Sequence, residues 1–242
     1  SEGSSLTLEA PIAGSFLGGS FNVIKPFIEY QTFMPDKWLS GGRHTFALRV
    51  RLMHMITFGR LPNGSPMSVP FFERVFLGSE FDLRGFAMRS VTPWALTRTP
   101  SLDGAGNPLI DPATGLPAIT ESIMPVGGDT SAIFTAEYRV PIVGPFQVVP
   151  FIDVGTSTVL KKDSLRLFGP NTYIELLENT NNVIRISTGV EVQFLMPMVN
   201  QPFRLIFAYN PKFLDTSVVL EGVRLPLQER KKDLSFSVGY TF

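Results

Sequence analysis

The sequence predicts an all-β fold, a transmembrane antiparallel β-barrel with eight strands in this chain. Three observations carry that prediction. Segments in which apolar and polar residues alternate recur along the chain. The connections between them are in turn short and long, as in barrels with tight turns at one rim and large loops at the other. No run approaches the ~20 consecutive apolar residues of a membrane-spanning helix, so a chain with 44% hydrophobic residues and a mean hydropathy of +0.17 would cross a membrane only as strands. Twenty-one Phe, 21 Gly and 20 Pro agree with this, since aromatics favour pleated surfaces and Gly and Pro punctuate turns.

Taken in order, the first two strands, 5–13 and 21–34, show the weakest alternation and are joined by a short outer loop at 14–20. In 44–55, Phe46, Leu48, Val50 and Leu52 oppose Arg49 and Arg51, and in 133–140, Phe134, Ala136, Tyr138 and Val140 oppose Glu137 and Arg139. Strand 147–155 follows a Pro-containing turn. In 184–196 an outward set of Ile186, Thr188, Val190, Val192, Phe194 and Met196 faces away from Arg185, Ser187, Gly189, Glu191 and Gln193. Strand 202–211 leads to 233–242, where Leu234, Phe236, Val238, Tyr240 and Phe242 alternate with Ser235, Ser237, Gly239 and Thr241. Such a pattern places lipid on one face and a wet lumen on the other.

The even strand count puts both termini on the periplasmic side. The turns at 35–43, 140–146 and 196–202 are then periplasmic, and the long connections 58–130, 156–182 and 211–232 lie outside. Without a repeat, linker or low-complexity run, residues 1–242 read as one barrel domain with 58–130 as an inserted loop.

Composition removes several function classes. The 21 basic and 21 acidic residues cancel, so net charge gives no footprint for nucleic acid or an anionic surface. Zero cysteines exclude a disulfide scaffold, a thiolate metal site and a cysteine nucleophile. His44 and His54 lie far apart along one strand and make a poor metal pair. Asp103, Asn107 and Asp111 carry oxygens suited to calcium, but Gly- and Pro-rich hairpin tips have the same composition. No nucleophile elbow, phosphate loop or zinc pattern occurs. Glu9, Glu29, Glu137, Asp153 and Glu191 are read as lumen acids rather than a hydrolytic pair. No catalytic residue, metal or cofactor is expected.

The long connection contains Phe71-Phe72-Glu73-Arg74 and, after it, Gly78 and Leu83-Arg84-Gly85-Phe86. Further along come Gly127-Gly128 ahead of a strand with Glu137 and Pro141, then Phe151-Ile152-Asp153-Val154-Gly155, then Arg185 with Gly189 before Pro197, and a final strand ending in Phe242. In this order, over roughly residues 44–242, the chain resembles the C-terminal barrel region of BamA-like outer-membrane protein assembly factors. The resemblance implies a bacterial outer-membrane barrel that folds other barrels into the lipid. It also implies unfolded barrel clients, outer-membrane lipids and accessory assembly lipoproteins as partners. Family barrels usually have sixteen strands after periplasmic POTRA domains, whereas this chain holds no POTRA-like repeats and half that strand number. Either an N-terminal half or a second copy is expected to complete the barrel.

An Arg flanked by Gly85 and Phe86 has reason to be there only if the loop packs against something. The expectation is that Arg84 turns into the lumen onto Asp153, with Glu137 as second partner, in a charge-assisted contact. Gly239, Tyr240 and Phe242 are expected to form a weakly paired seam and terminal signal on the last strand. A polypeptide-translocating pore of the same superfamily and a structural or porin-like barrel are the alternatives.

Overall fold

The computed structural model describes residues 2–14, 18, 21–60, 64, 67–69, 71–162, 165, 172–196, 201–220 and 222–239. Among these residues the regular structure is strand and two single-turn 3-10 segments, with no α-helix.

Eight strands form one antiparallel sheet, numbered here β1 (Gly3–Glu9), β2 (Phe27–Pro35), β3 (Thr45–His54), β4 (Thr130–Pro141), β5 (Phe146–Thr158), β6 (Arg185–Met196), β7 (Gln201–Lys212) and β8 (Lys232–Val238). Each pairs with the strand before and after it in sequence, so the sheet is a meander with β1 and β8 at its edges. Neither edge has a second neighbour among the described residues, and the sheet is not closed.

Side-chain alternation sorts residues as the sequence pattern predicts. Arg185, Ser187 and Glu191 of β6 are fully buried, while Val190 between them is exposed. On β8, Leu234 and Phe236 are more than half exposed and Ser237 is buried. The bare face is therefore the apolar one, the inverse of a soluble sheet. The other face is covered by the connection between β3 and β4. From it, Val69, Val75, Leu77, Leu83, Phe86 and Val91 pack with Ile133 of the sheet, and with Val23 and Met55 beside its rim, into the largest apolar cluster among the described residues. Burying each such side chain contributes roughly 1.5–3 kcal/mol, which makes this loop the core of the molecule.

The first two strands depart from expectation. Strand 5–13 ends at Glu9 and resumes only as Ile12–Ala13, and strand 21–34 begins as Val23–Ile24 and restarts at Phe27. Pro11 and Pro26, which have no N–H for a ladder, stand at the two breaks. Beyond the breaks the short pieces join Ile56–Thr57 in a separate three-stranded sheet. The long connections, expected as loops, carry strands as well: Trp94–Pro100 pairs with Ile119–Pro125 and with Tyr173–Leu176, and Asp215–Leu220 pairs with Val223–Gln228. Alternation in these stretches runs over only four to seven residues, too few to stand out beside the long strands.

Candidate functional site

The site grows from one line of paired residues across the sheet. Ala47 of β3, Glu137 of β4, Phe151 of β5, Gly189 of β6 and Ala208 of β7 stand in register. The small members leave a groove around Glu137 and Phe151. Gly189 is required for close approach, because a Cβ there would lie 2.0 Å from the Phe207 carbonyl oxygen and 3.0 Å from the Phe151 ring. The ring thus settles on glycine and turns its face toward the loop.

Into this groove comes the loop turn Ser79–Leu83, closed by the Leu83 N–H donating to the Ser79 carbonyl at 3.1 Å. Leu83 is fully buried and lies against Gly155 of β5, where a Cβ would be 3.1 Å away. Arg84 follows, also with no exposure. Its Nε and Nη2 donate to the two carboxylate oxygens of Asp153 at 2.8 Å each, a bidentate fork, and its backbone N–H donates to Asp153 Oδ2 at 3.1 Å. Nη1 donates to Glu137 Oε1 at 2.8 Å and to Glu191 Oε2 at 3.1 Å. The guanidinium lies 3.8 Å from the Phe151 ring centroid, within cation–π range.

Three carboxylates around one cation would repel one another, and two more arginines balance them. Arg204 of β7 donates to both oxygens of Glu191 at 2.6 and 2.8 Å, and Arg139 donates to Glu137 at 2.9 and 2.8 Å. Arg84, Arg139 and Arg204 against Glu137, Asp153 and Glu191 make a neutral, hydrogen-bonded network, the condition under which buried charge is tolerated. Arginines also grip the tip of the turn. Arg49 of β3 donates to the Phe81 carbonyl at 3.1 Å, and Arg204 donates to the Glu80 carbonyl at 3.1 Å.

The residues after Arg84 fix its direction. Gly85 sits at φ +83°, and a Cβ there would meet Asn210 Oδ1 at 2.6 Å, Ala208 Cβ at 2.7 Å and Ser187 Oγ at 2.9 Å. Its carbonyl accepts from Asn210 Nδ2 at 2.7 Å. Phe86 is buried in the apolar cluster.

The structure thus brings Arg84, Gly85, Asp153 and Glu137 into one contact set, with Phe86 beside it in the core. Gly239 lies apart at the sheet edge, at φ +116°, its N–H donating to the Pro202 carbonyl at 2.9 Å. The loop reaches toward it: a Cβ on Gly239 would lie 3.6 Å from the Phe81 ring. Tyr240 and Phe242 lie outside the described residues.

Beyond the two carboxylates expected from the sequence, Asp153 and Glu137, the contact set includes Glu191, Arg204 and Arg49. The signal was present in the alternation, since Arg204 and Asn210 fall on the face opposite Phe203, Leu205, Phe207 and Tyr209. What period alone does not reveal is which inward residues lie level with one another. His44 and His54 bond Tyr138 and Thr130 respectively. Asp103 accepts the backbone N–H groups of Ala105 and Asn107, an Asx turn. Among the described residues no three His, Cys, Asp or Glu side chains cluster as metal ligands.

Comparison with known proteins agrees with the architecture. The fold matches that of BamA from Haemophilus ducreyi lacking POTRA domains 1–3, with a TM-score of 0.54 and 18% sequence identity, over 98% of this chain and 38% of that one. The chain thus spans well under half of that solved chain. No curated protein matches it at a significant level. A family model, the Omp85 superfamily domain, matches residues 1–242 from end to end. With its eight-stranded meander, its loop-filled inner face and that match over its whole length, the chain belongs to the Omp85 superfamily.

Proposed function

We propose that the chain is barrel wall of an outer-membrane assembly factor that templates the folding of β-barrel proteins into the bacterial outer membrane. One observation carries this reading: the arginine-held loop tip stands beside a strand edge with no second partner among the described residues. Phe81, whose carbonyl Arg49 holds, is also the loop residue nearest Gly239 at the end of β8. An unpaired edge offers a row of N–H and C=O groups to an incoming strand. Strand pairing in lipid is downhill once those groups are satisfied, so the activity needs no nucleotide or cofactor. The partners are outer-membrane lipids, unfolded barrel clients and accessory assembly lipoproteins.

Residues 1–242 act in this reading as one barrel domain with 58–130 inserted. An eight-stranded barrel is only wide enough for side chains, yet the segment around Arg84 already covers the inner face. A wider barrel, completed by an N-terminal half or by a second copy, accommodates it. The test is folding of an added barrel client in liposomes, followed by the shift between heat-sensitive and heat-resistant migration on gels. The expected result is faster client folding with the chain present. No acceleration, together with a conductance that polypeptides block, would overturn assembly in favour of a translocating pore.

A further inference from the structure

The rim that carries the β2–β3 and β4–β5 turns exposes large apolar side chains. Trp38 is 92% and Leu39 73% exposed in the first turn, and Ile142 is 57% and Val143 73% exposed in the second. These turns are firmly built. Asp36 Oδ1 accepts the backbone N–H groups of Trp38 and Leu39 at 3.1 and 2.9 Å, and Asp36 Oδ2 accepts the Tyr138 hydroxyl of β4 at 2.6 Å. The Ser40 hydroxyl donates to the Asp36 carbonyl and accepts from the His44 N–H. In the second turn Ile142 N–H donates to the Phe146 carbonyl at 3.0 Å and Phe146 N–H to the Val143 carbonyl at 3.2 Å. Turns whose polar backbone is bonded internally can lie against hydrocarbon.

Charge and continuity say what covers them. Lys37 and Arg43, both exposed, flank the apolar pair. An indole with cations beside it suits the headgroup level of a bilayer, where the ring sits among the upper acyl carbons and the cations meet phosphates. The patch also continues the bare apolar face of the sheet, through Met34 and Phe46, which face one another across β2 and β3 and are 44% and 40% exposed. The two turns share no sequence. They share only one rim of the sheet, and a lipid surface covers both without matching either sequence, which a shaped protein pocket could not do.

We propose that the turns spanning 35–44 and 141–146 are a lipid-interface anchor, with Trp38, Leu39, Ile142 and Val143 inserted below the headgroups and Lys37 and Arg43 on the phosphates of anionic phospholipid. The proposal rests on the sheet spanning the membrane, and its test separates the two. Trp38 and Trp94 are the two tryptophans, so Trp94→Phe leaves Trp38 as sole reporter in the full chain. In vesicles of phosphatidylcholine with phosphatidylglycerol, Trp38 emission is expected to be blue-shifted and quenched most by lipids brominated high on the acyl chain. Phe134→Trp, made together with Trp38→Phe and Trp94→Phe, reports the bare face of β4 and is expected to be quenched by deep bromines. Lys37→Glu with Arg43→Glu should shift Trp38 emission to the red when phosphatidylglycerol is present and leave it unchanged in phosphatidylcholine alone. Water-like, unquenched Trp38 emission beside normal quenching at position 134 would overturn the anchor and leave the spanning sheet intact, pointing to a protein-docking rim. Loss of quenching at both positions would overturn the spanning sheet and the anchor with it. Trp38 emission indifferent to the two charge reversals would overturn the phosphate contact.

Discussion

Two stretches of the connection between β3 and β4 meet opposite environments. Residues 75–91 form irregular turns against the sheet, with Leu83, Arg84 and Val91 at zero exposure. Residues 94–125 form a regular hairpin, Trp94–Pro100 with Ile119–Pro125, whose tip is largely exposed. The hairpin is held mostly by contacts between its own strands, such as Arg98 with Glu121 at 2.6 Å. The inner stretch is held by side chains from β3, β4, β5, β6 and β7. Regular structure and functional anchoring are therefore separable here. The stretch with poor local order is the one the rest of the molecule specifies.

The sharpest way to break that contrast is Arg84→Ala. It leaves Glu137, Asp153 and Glu191 with one cation fewer in a buried network, and losing one partner of such a pair costs about 3–5 kcal/mol. The expected outcome is a protease-sensitive loop and reduced client folding with the strands still formed, checked by limited proteolysis and circular dichroism. Exchanging the charges, Arg84→Asp with Asp153→Arg, should recover part of the loss of each single change. Wild-type protease resistance in Arg84→Ala would show that the loop is held without the network.

A pair of glycines isolates packing from backbone strain. Gly85 and Gly106 share nearly the same conformation, φ +83° and +85°, but a Cβ at 85 strikes three groups within 3 Å and one at 106 meets nothing within 4 Å. Gly106→Ala should cost only the left-handed strain of about 1–2 kcal/mol. Gly85→Ala should cost more and displace the loop, as read by thermal melting and proteolysis. Equal effects would mean that the groove around Arg84 can widen freely.

Arg98→Ala tests the outer stretch. The pair with Glu121 is solvent-accessible, so about 0–1 kcal/mol is at stake, and client folding should not change.

The smallest effect is expected at the rim turn. Asp36 has its pKa lowered below the ordinary carboxylate value, first by the backbone N–H of Leu39 and then by the Tyr138 hydroxyl. A carboxyl with a depressed folded-state pKa adds stability that is complete above its unfolded value, ~3.9, and is lost as pH falls through the folded one. Asp36→Asn should therefore lower stability slightly at neutral pH and flatten the acid limb of a pH–stability curve, with mutant and wild type converging as pH falls below the folded-state pKa.

Much of the fold was legible because strand alternation is a local property. A residue two places along returns to the same face whatever its partner, so Arg185, Ser187 and Glu191 could be assigned inward from β6 alone. The breaks at Pro11 and Pro26 were harder, because a strand that stops and resumes keeps much of its pattern. At the site, Arg84 with Gly85 and the acids Asp153 and Glu137 stood out by residue type and by family likeness. Glu191, Arg204 and Arg49 did not, since their roles depend on which residues lie level across neighbouring strands.

The sequence by itself determined the period, the inward and outward sets and the order of eight strands, because each follows from backbone geometry over a few residues. Only the tertiary structure decided that Ala47, Glu137, Phe151, Gly189 and Ala208 form one line, and that Arg84 meets three carboxylates rather than two. Register between strands is set by the sum of all cross-strand contacts and the loop packed over them, and no single segment contains that sum.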